Sequence, residues 1–174
     1  MAANRLTTVN IVPPLFDLYA VEAWRAEFRG LFIGEGWMGI TRFKQRRNGN
    51  AYWNYRPEMM LCQNFENEEM VRHIRDVLGG FVYKRAAYRH GSDKQVRGPY
   101  FTWQARSQIV CDRALRCLES GLIPDKKEPK IRALREYLDI LSEYKGSAKP
   151  QEVLDRIQVL RTSVTPNGHP EREL

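Results

Sequence analysis

The sequence predicts an α+β domain: a four-stranded antiparallel sheet built from two hairpins, carrying helices on one face, in the order α-β-β-α-β-β-α with two further helices appended. Three observations predict it. Trp24, Phe28, Leu31 and Phe32 recur at i, i+4, i+7 and i+8, one apolar stripe of a helix. Two pairs of strand-like segments flank turn-forming stretches, Asn48-Gly49-Asn50 in the first and HGSDKQVRG in the second. Helical patterns between and after them end on glycine, at Gly79-Gly80 and at Gly121. The 174 residues suit one compact domain, expected over 15–163 between a leader at 1–14 and a mobile tail at 164–174.

Each element follows from local pattern. Pro13 and Pro14 close the polar leader, and a long helix begins near Leu15. Gly36 is its expected stop. MGITRFKQRR and YWNYRPEMMLCQ form the first hairpin. A helix from about Asn64 buries Met70, Val71, Ile74, Val77 and Leu78. FVYKRAAYRH and GPYFTWQAR form the second hairpin. Ser107 is a suitable N-cap for a helix bearing Val110, Ala114, Cys117 and Leu118. Asp125 is expected to cap the next, with Ile131, Leu134, Leu138 and Leu141 inward. Pro150 opens a last helix with Leu154, Ile157 and Leu160. Trp53 and Trp103 are expected as core or sheet anchors.

Charge and cysteine usage narrow the function. Lysine and arginine exceed acids by 28 to 21, a formal net charge of +7 that favours anionic partners, nucleic acid above all. No apolar run spans a bilayer, and MAANRLTTVNIVPP lacks the order of a signal peptide, so no membrane role and an intracellular location are expected. Cys62, Cys111 and Cys117 are odd in number and form no C-x-x-C, which points to reduced thiols and not to a disulfide framework or zinc site. No phosphate-cradling glycine loop, nucleophile elbow or zinc spacing favours an enzyme of small molecules, and no small-molecule cofactor is expected.

A sheet covered on one face leaves the other bare. Arg42, Lys44, Arg46 and Arg56 mark the first hairpin, and Tyr83, Lys84, Arg85 and Arg97 the second. A surface of Arg, Gln and Tyr suits the major groove of duplex DNA, where Arg grips guanine, Gln reads adenine and Lys meets phosphate. Glycine costs a helix interior about 1 kcal/mol. Ala23, Ala26, Gly30 and Gly34 nevertheless form a second, small stripe that admits a close helix backbone. With one such stripe in the chain, the natural partner is a second copy in a two-fold dimer. Two Glu35 carboxylates would then meet, and a hard divalent cation relieves their repulsion and suits phosphodiester hydrolysis.

Residues 28–36, FRGLFIGEG, resemble the signature helix of the LAGLIDADG homing endonucleases. The resemblance covers about 23–145 and includes GWMGITRF, RPEMMLCQN, the helix ending in LGG, YFTW, and LIPDKKEPKIRAL. It implies that Glu35, helped by the Gly34 carbonyl, ligates Mg²⁺ or another divalent cation such as Mn²⁺. It further implies that Gln63 orients water and that Lys126 polarises the water network or stabilises phosphate charge, with Lys127 the alternative one register away. A single motif implies a homodimer, its interface at Ala23, Ala26, Gly30 and Gly34, cutting both strands of a long near-palindromic site.

Departures are Ile33 at a frequently acidic position, Phe28 and Arg29 for the commoner Leu and small residue, and Pro129 beside the lysines. Arg42, Lys44 and Arg46 alternate and are expected together on the face opposite Ile40. The family pattern instead sends Thr41, Phe43 and Gln45 towards DNA, and a bulge or twist could reconcile the two. The expected contacts are therefore Arg42, Lys44, Gln45, Arg46, Arg56, Tyr83, Arg85, Arg97 and Thr102. The function implied is a site-specific double-strand DNA endonuclease. The alternative is a non-cleaving nucleic-acid-binding protein of the same fold, an intron-RNA maturase or a transcription regulator.

Overall fold

A computed structural model describes residues 18–47, 50–89 and 96–164. The elements are α1 (Leu18–Glu35), β1 (Trp37–Arg47), β2 (Asn50–Asn64), a 3-10 turn (Phe65–Asn67), α2 (Glu68–Leu78), β3 (Phe81–Arg85), β4 (Tyr88–Arg89), β5 (Val96–Arg97), β6 (Tyr100–Ala105), α3 (Gln108–Glu119), α4 (Glu128–Glu143) and α5 (Gln151–Val164). The four-stranded sheet has the order β1-β2-β6-β3 and is antiparallel throughout. The expected architecture is thus observed. The expected helix start at Leu15, the 1–14 leader and most of the 164–174 tail lie outside the described residues.

The apolar stripe of α1 drives the packing. Phe28 and Phe32 are buried, Trp24 stacks on Phe28 at 5.6 Å between centroids, and both phenylalanines meet the Trp103 ring edge-on. Such contacts add roughly 0.5–1.5 kcal/mol each to the area they bury. Met38, Ile40, Met59, Leu61, Trp103 and Ala105 line the inner sheet face, against Leu115 and Leu118 of α3 and Ile131, Leu134 and Leu138 of α4. Trp103 Nε1 donates to the Gly79 carbonyl at 2.8 Å, which satisfies a buried indole at the end of α2. Cys111 and Cys117 are buried free thiols, and burial pushes the Cys111 thiol up to about 12.

Two expectations are corrected. The second hairpin does not run through residue 90: β3 stops at Arg85, and Tyr88–Arg89 pairs with Val96–Arg97 as a separate ribbon. Gly98, at φ 93°, and Pro99, which offers no N–H, interrupt the ladder there. Asp125 does not cap α4, whose N-cap is Lys127; the Pro124 carbonyl accepts the N–H groups of Lys127 and Glu128 instead. At α3 the expected cap is present, Ser107 Oγ accepting from Val110 N at 3.2 Å.

Candidate metal centre and nucleic-acid face

Glu35 is the last residue of α1, and Gly36 alone separates it from β1. A side chain at residue 36 has no room: a Cβ there would lie 2.5 Å from both the Phe32 carbonyl oxygen and the Phe32 ring. Gly36 N donates to that carbonyl at 2.8 Å and closes the helix. The exposed Glu35 carboxylate is thereby fixed at the negative end of the helix dipole, a position that favours cations.

Three side chains converge on this end. Gln63, 6% exposed near the end of β2, donates from Nε2 to Glu35 Oε2 at 2.6 Å. Its own Oε1 accepts from Asn67 Nδ2 at 3.1 Å, which fixes the amide with its N–H groups towards the acid. Lys127 donates from Nζ to the Gly36 carbonyl at 2.8 Å. Burial, and then the charge of Lys130, hold this ammonium below the ordinary lysine range. Lys126 is exposed, so of the two lysines it is Lys127 that reaches the end of α1. No basic residue occupies the last turn of α1 itself, and Lys127 supplies the missing cation from across the fold.

Beside this cluster the small stripe faces outward. Ala23, Ala26, Gly30 and Gly34 are all exposed. A Cβ added at Gly30 or Gly34 would meet nothing within 4 Å. One copy offers oxygen donors suited to a hard cation, namely the Glu35 carboxylate and the carbonyls of the last helical turn. Among the described residues no group of three or more His, Cys, Asp or Glu converges.

The sheet register settles which strand residues share the outer face. β1 and β2 pair without a bulge from Trp37↔Met60 to Arg47↔Asn50. Even-numbered residues of β1 therefore follow Met38 and Ile40 to the helix side, and this corrects the expected position of Arg42, Lys44 and Arg46 opposite Ile40. Arg42 lies there 4.0 Å over the Trp53 ring, with Lys44 at 5.9 Å. Trp53 is half-buried beneath them, a sheet anchor as expected.

The outer face carries Thr41, Phe43 and Gln45 from β1, opposite Arg56, Asn54 and Tyr52 from β2. Thr102 and Gln104 of β6 and Tyr83 and Arg85 of β3 continue it. Four expected contact residues, Gln45, Arg56, Tyr83 and Arg85, thus share one accessible surface, whereas Thr102, expected with them, has the same parity but is fully buried between β2 and β3, its hydroxyl against Cys62 Sγ. Arg97 belongs to β5, and its side chain lies outside the described residues.

Side chains that sequence reasoning passed over complete the picture. Asn67 lies at the end of the 3-10 turn that follows β2, and only the fold of that turn brings it back to Gln63. Glu58, Gln104 and Arg106 meet on the outer face. Glu58, though acidic, is only 4% exposed and accepts hydrogen bonds at Oε1 from Gln104 Nε2 and from Arg106 Nε, the latter at 3.1 Å. Among the described residues, no helix is long and apolar enough to cross a membrane.

Solved structures share this fold. The homing endonuclease I-TnaI superposes with a TM-score of 0.62 at 18% identity, over 83% of this chain and 90% of its own. I-CvuI, crystallised with its target in the presence of calcium, gives 0.63 at 17% identity over 90% of each chain. The LAGLIDADG meganuclease I-AabMI, bound to uncleaved DNA, gives 0.60 at 14% identity, over 84% of this chain and 46% of its own. No protein-family model and no curated protein matches the sequence. The chain has the fold of the LAGLIDADG homing endonucleases, with the α1 signature helix, the four-stranded sheet and the helical layer in the expected places.

Proposed function

We propose that the protein is a site-specific double-strand DNA endonuclease that works as a homodimer with a divalent cation. One observation carries this reading: Glu35, Gln63 and Lys127 meet at the end of α1, at the margin of an unoccupied face of small residues. Packing of that face on its symmetry mate brings two such ends together, and two carboxylates side by side require a cation. Glu35 and the Gly34 carbonyl would hold Mg²⁺ or Mn²⁺. The cation supplies activation of water and stabilisation of the leaving oxygen.

The remaining roles belong to this chain's residues. Gln63 engages Glu35 Oε2 and leaves Oε1 for the metal. Lys127, rather than the exposed Lys126, brings positive charge towards the scissile phosphate. Hydrolysis adds water to phosphorus and breaks one P–O bond on each strand. The outer sheet face, with Gln45, Arg56, Tyr83 and Arg85, sits in the major groove.

The test is selection of cleaved duplexes from a random library in Mg²⁺. Recovery of a palindrome-like site, with Glu35→Gln binding that site uncut, supports the reading. Binding without cutting in Mg²⁺, Mn²⁺ and Ca²⁺ overturns the nuclease and leaves a nucleic-acid-binding protein of the same fold.

A further inference from the structure

We infer that Arg106 is a base-reading residue, aimed at the edge of a guanine by the buried carboxylate of Glu58; the inference rests on the proposal that the outer sheet face enters a major groove. Arg106 follows the last residue of β6, and the register Met59↔Ala105 sets it opposite Glu58 on the outer face. Across β1 the partner of Glu58 is Gly39, which projects no side chain over the pair.

A carboxylate is a poor choice for a surface that meets polyanionic DNA, and a buried carboxylate is costly unless it is paired. Glu58 is both, which asks for a reason. Its Oε1 holds Gln104 Nε2 and Arg106 Nε. Gln104 Nε2 also touches Met60 Sδ at 3.3 Å, so the amide is held from two sides. The pair thereby cancels the acid's charge and uses only one of the guanidinium nitrogens.

Among the described residues Nη1 and Nη2 have no protein partner, and the Arg106 side chain is 32% exposed, against 5% for that of Glu58. A guanidinium tethered at Nε has lost most of its rotamer freedom before it binds anything. It presents a fixed two-nitrogen fork, which matches the O6 and N7 acceptors of guanine. A phosphate contact would gain little from such tethering, because phosphate can be met from many angles.

The experiment selects bound duplexes from a random library in metal-free buffer with EDTA, so that it reads binding and not cutting. The wild type is expected to select guanine at one symmetry-related pair of positions. Arg106→Gln is expected to lose that preference, on the order of ten- to a hundred-fold, with other positions unchanged. Arg106→Lys keeps the charge and the pair with Glu58 but not the fork; it is expected to lose the same preference and to guard against misfolding of the first variant. Glu58→Gln is expected to tighten binding to all duplexes while flattening that one position.

If Arg106→Gln keeps every base preference and only weakens binding uniformly, with a salt slope smaller by about one, Arg106 holds a phosphate and the inference fails alone. If no variant changes any position, the pair is purely structural and the inference fails alone. A wild-type chain that selects no duplex overturns both this inference and the proposed function.

Discussion

Replacing Gly30 and Gly34 with alanine sets two effects against each other, and their signs decide whether the small face of α1 is an interface. Within one copy the substitution costs nothing in contacts, since an added Cβ at either position meets no atom within 4 Å. Gly30 lies inside α1, where replacing a glycine returns about 1 kcal/mol of backbone entropy, and Gly34, in the last turn, returns less, so the pair stabilises the isolated chain by about 1–2 kcal/mol. For a domain of this size that corresponds to a melting temperature higher by about 2–8 °C.

Across a two-fold contact the same change inserts four methyl groups where two helix backbones touch. Overpacking of roughly 1–3 kcal/mol weakens association by about fivefold to a hundredfold. Sedimentation and thermal unfolding are read over the same concentration series. The expected result is a variant that sediments as a monomer where the wild type is a dimer, and that melts higher than the wild type at the greatest dilution. Unchanged sedimentation alongside the raised melting point would refute the reasoning: the face would be bare for some other cause, and Glu35 would have no symmetry mate.

Four further outcomes are expected. Lys127→Met lowers single-turnover cleavage by about a hundredfold with DNA affinity held, whereas Lys126→Met changes neither; the reverse pattern restores the other lysine to the site. Asn67→Asp turns a donor into an acceptor facing Gln63 Oε1 and reverses the amide, so cleavage falls about tenfold and the Gln63 side-chain N–H signals move in a ¹⁵N spectrum.

Acid stability reports Asp112. Burial alone would raise its carboxyl, but hydrogen bonds from Arg135 and Arg116 outweigh this and hold it below the ordinary carboxylate range. The folded group therefore releases its proton more readily than the unfolded one. Its contribution is complete above about pH 4 and fades as pH falls further. Denaturant midpoints should drop below pH 4 in the wild type and drop less in Asp112→Asn. Finally, a thiol-specific reagent should modify the exposed Cys62 at once. Cys111, fully buried with its thiol pushed up to about 12, should react only on unfolding.

The parts of this fold that were legible in the sequence are those set by local periodicity. The Trp24–Phe28–Leu31–Phe32 stripe and the Ser107 cap each act within a few residues, and each appears where its pattern places it. What failed depended on partners that residue type alone does not single out. Asp125 is a good cap in isolation, yet the Pro124 carbonyl satisfies the N–H groups it would have served. The split of the second hairpin comes from the Gly98-Pro99 interruption acting across the ladder, as Lys84 pairs with Phe101 and Arg85 with Tyr100 but the β3–β6 ladder ends there. The basic side chains of β1 mislead because charge does not reveal parity: Arg42 sits on the helix side with its guanidinium over the Trp53 ring and so need not share the open face. Lysine register was unresolved for a similar reason. Only the turn at Pro124 decides which of two adjacent ammonium groups folds back to α1.

The junction at Gly36 explains why the site and the sheet face are set together. With a single residue between Glu35 and Trp37, no loop absorbs error between helix and strand. The direction in which α1 ends therefore fixes the register parity of β1 as well as the position of the acid. Phe32 enforces it twice, with its ring in the core and its carbonyl holding Gly36 N. Lys127 clamps the carbonyl on the other side of the same residue. Gln63 ties the acid to β2, whose opposite face carries Arg56 and Glu58. A shift of the helix end by a fraction of an ångström would move the acid and the outer face as one body. The proposed endonuclease would need that rigidity, because hydrolysis at a fixed spacing from a recognised sequence requires a distance between reading and cutting that does not depend on a flexible connection.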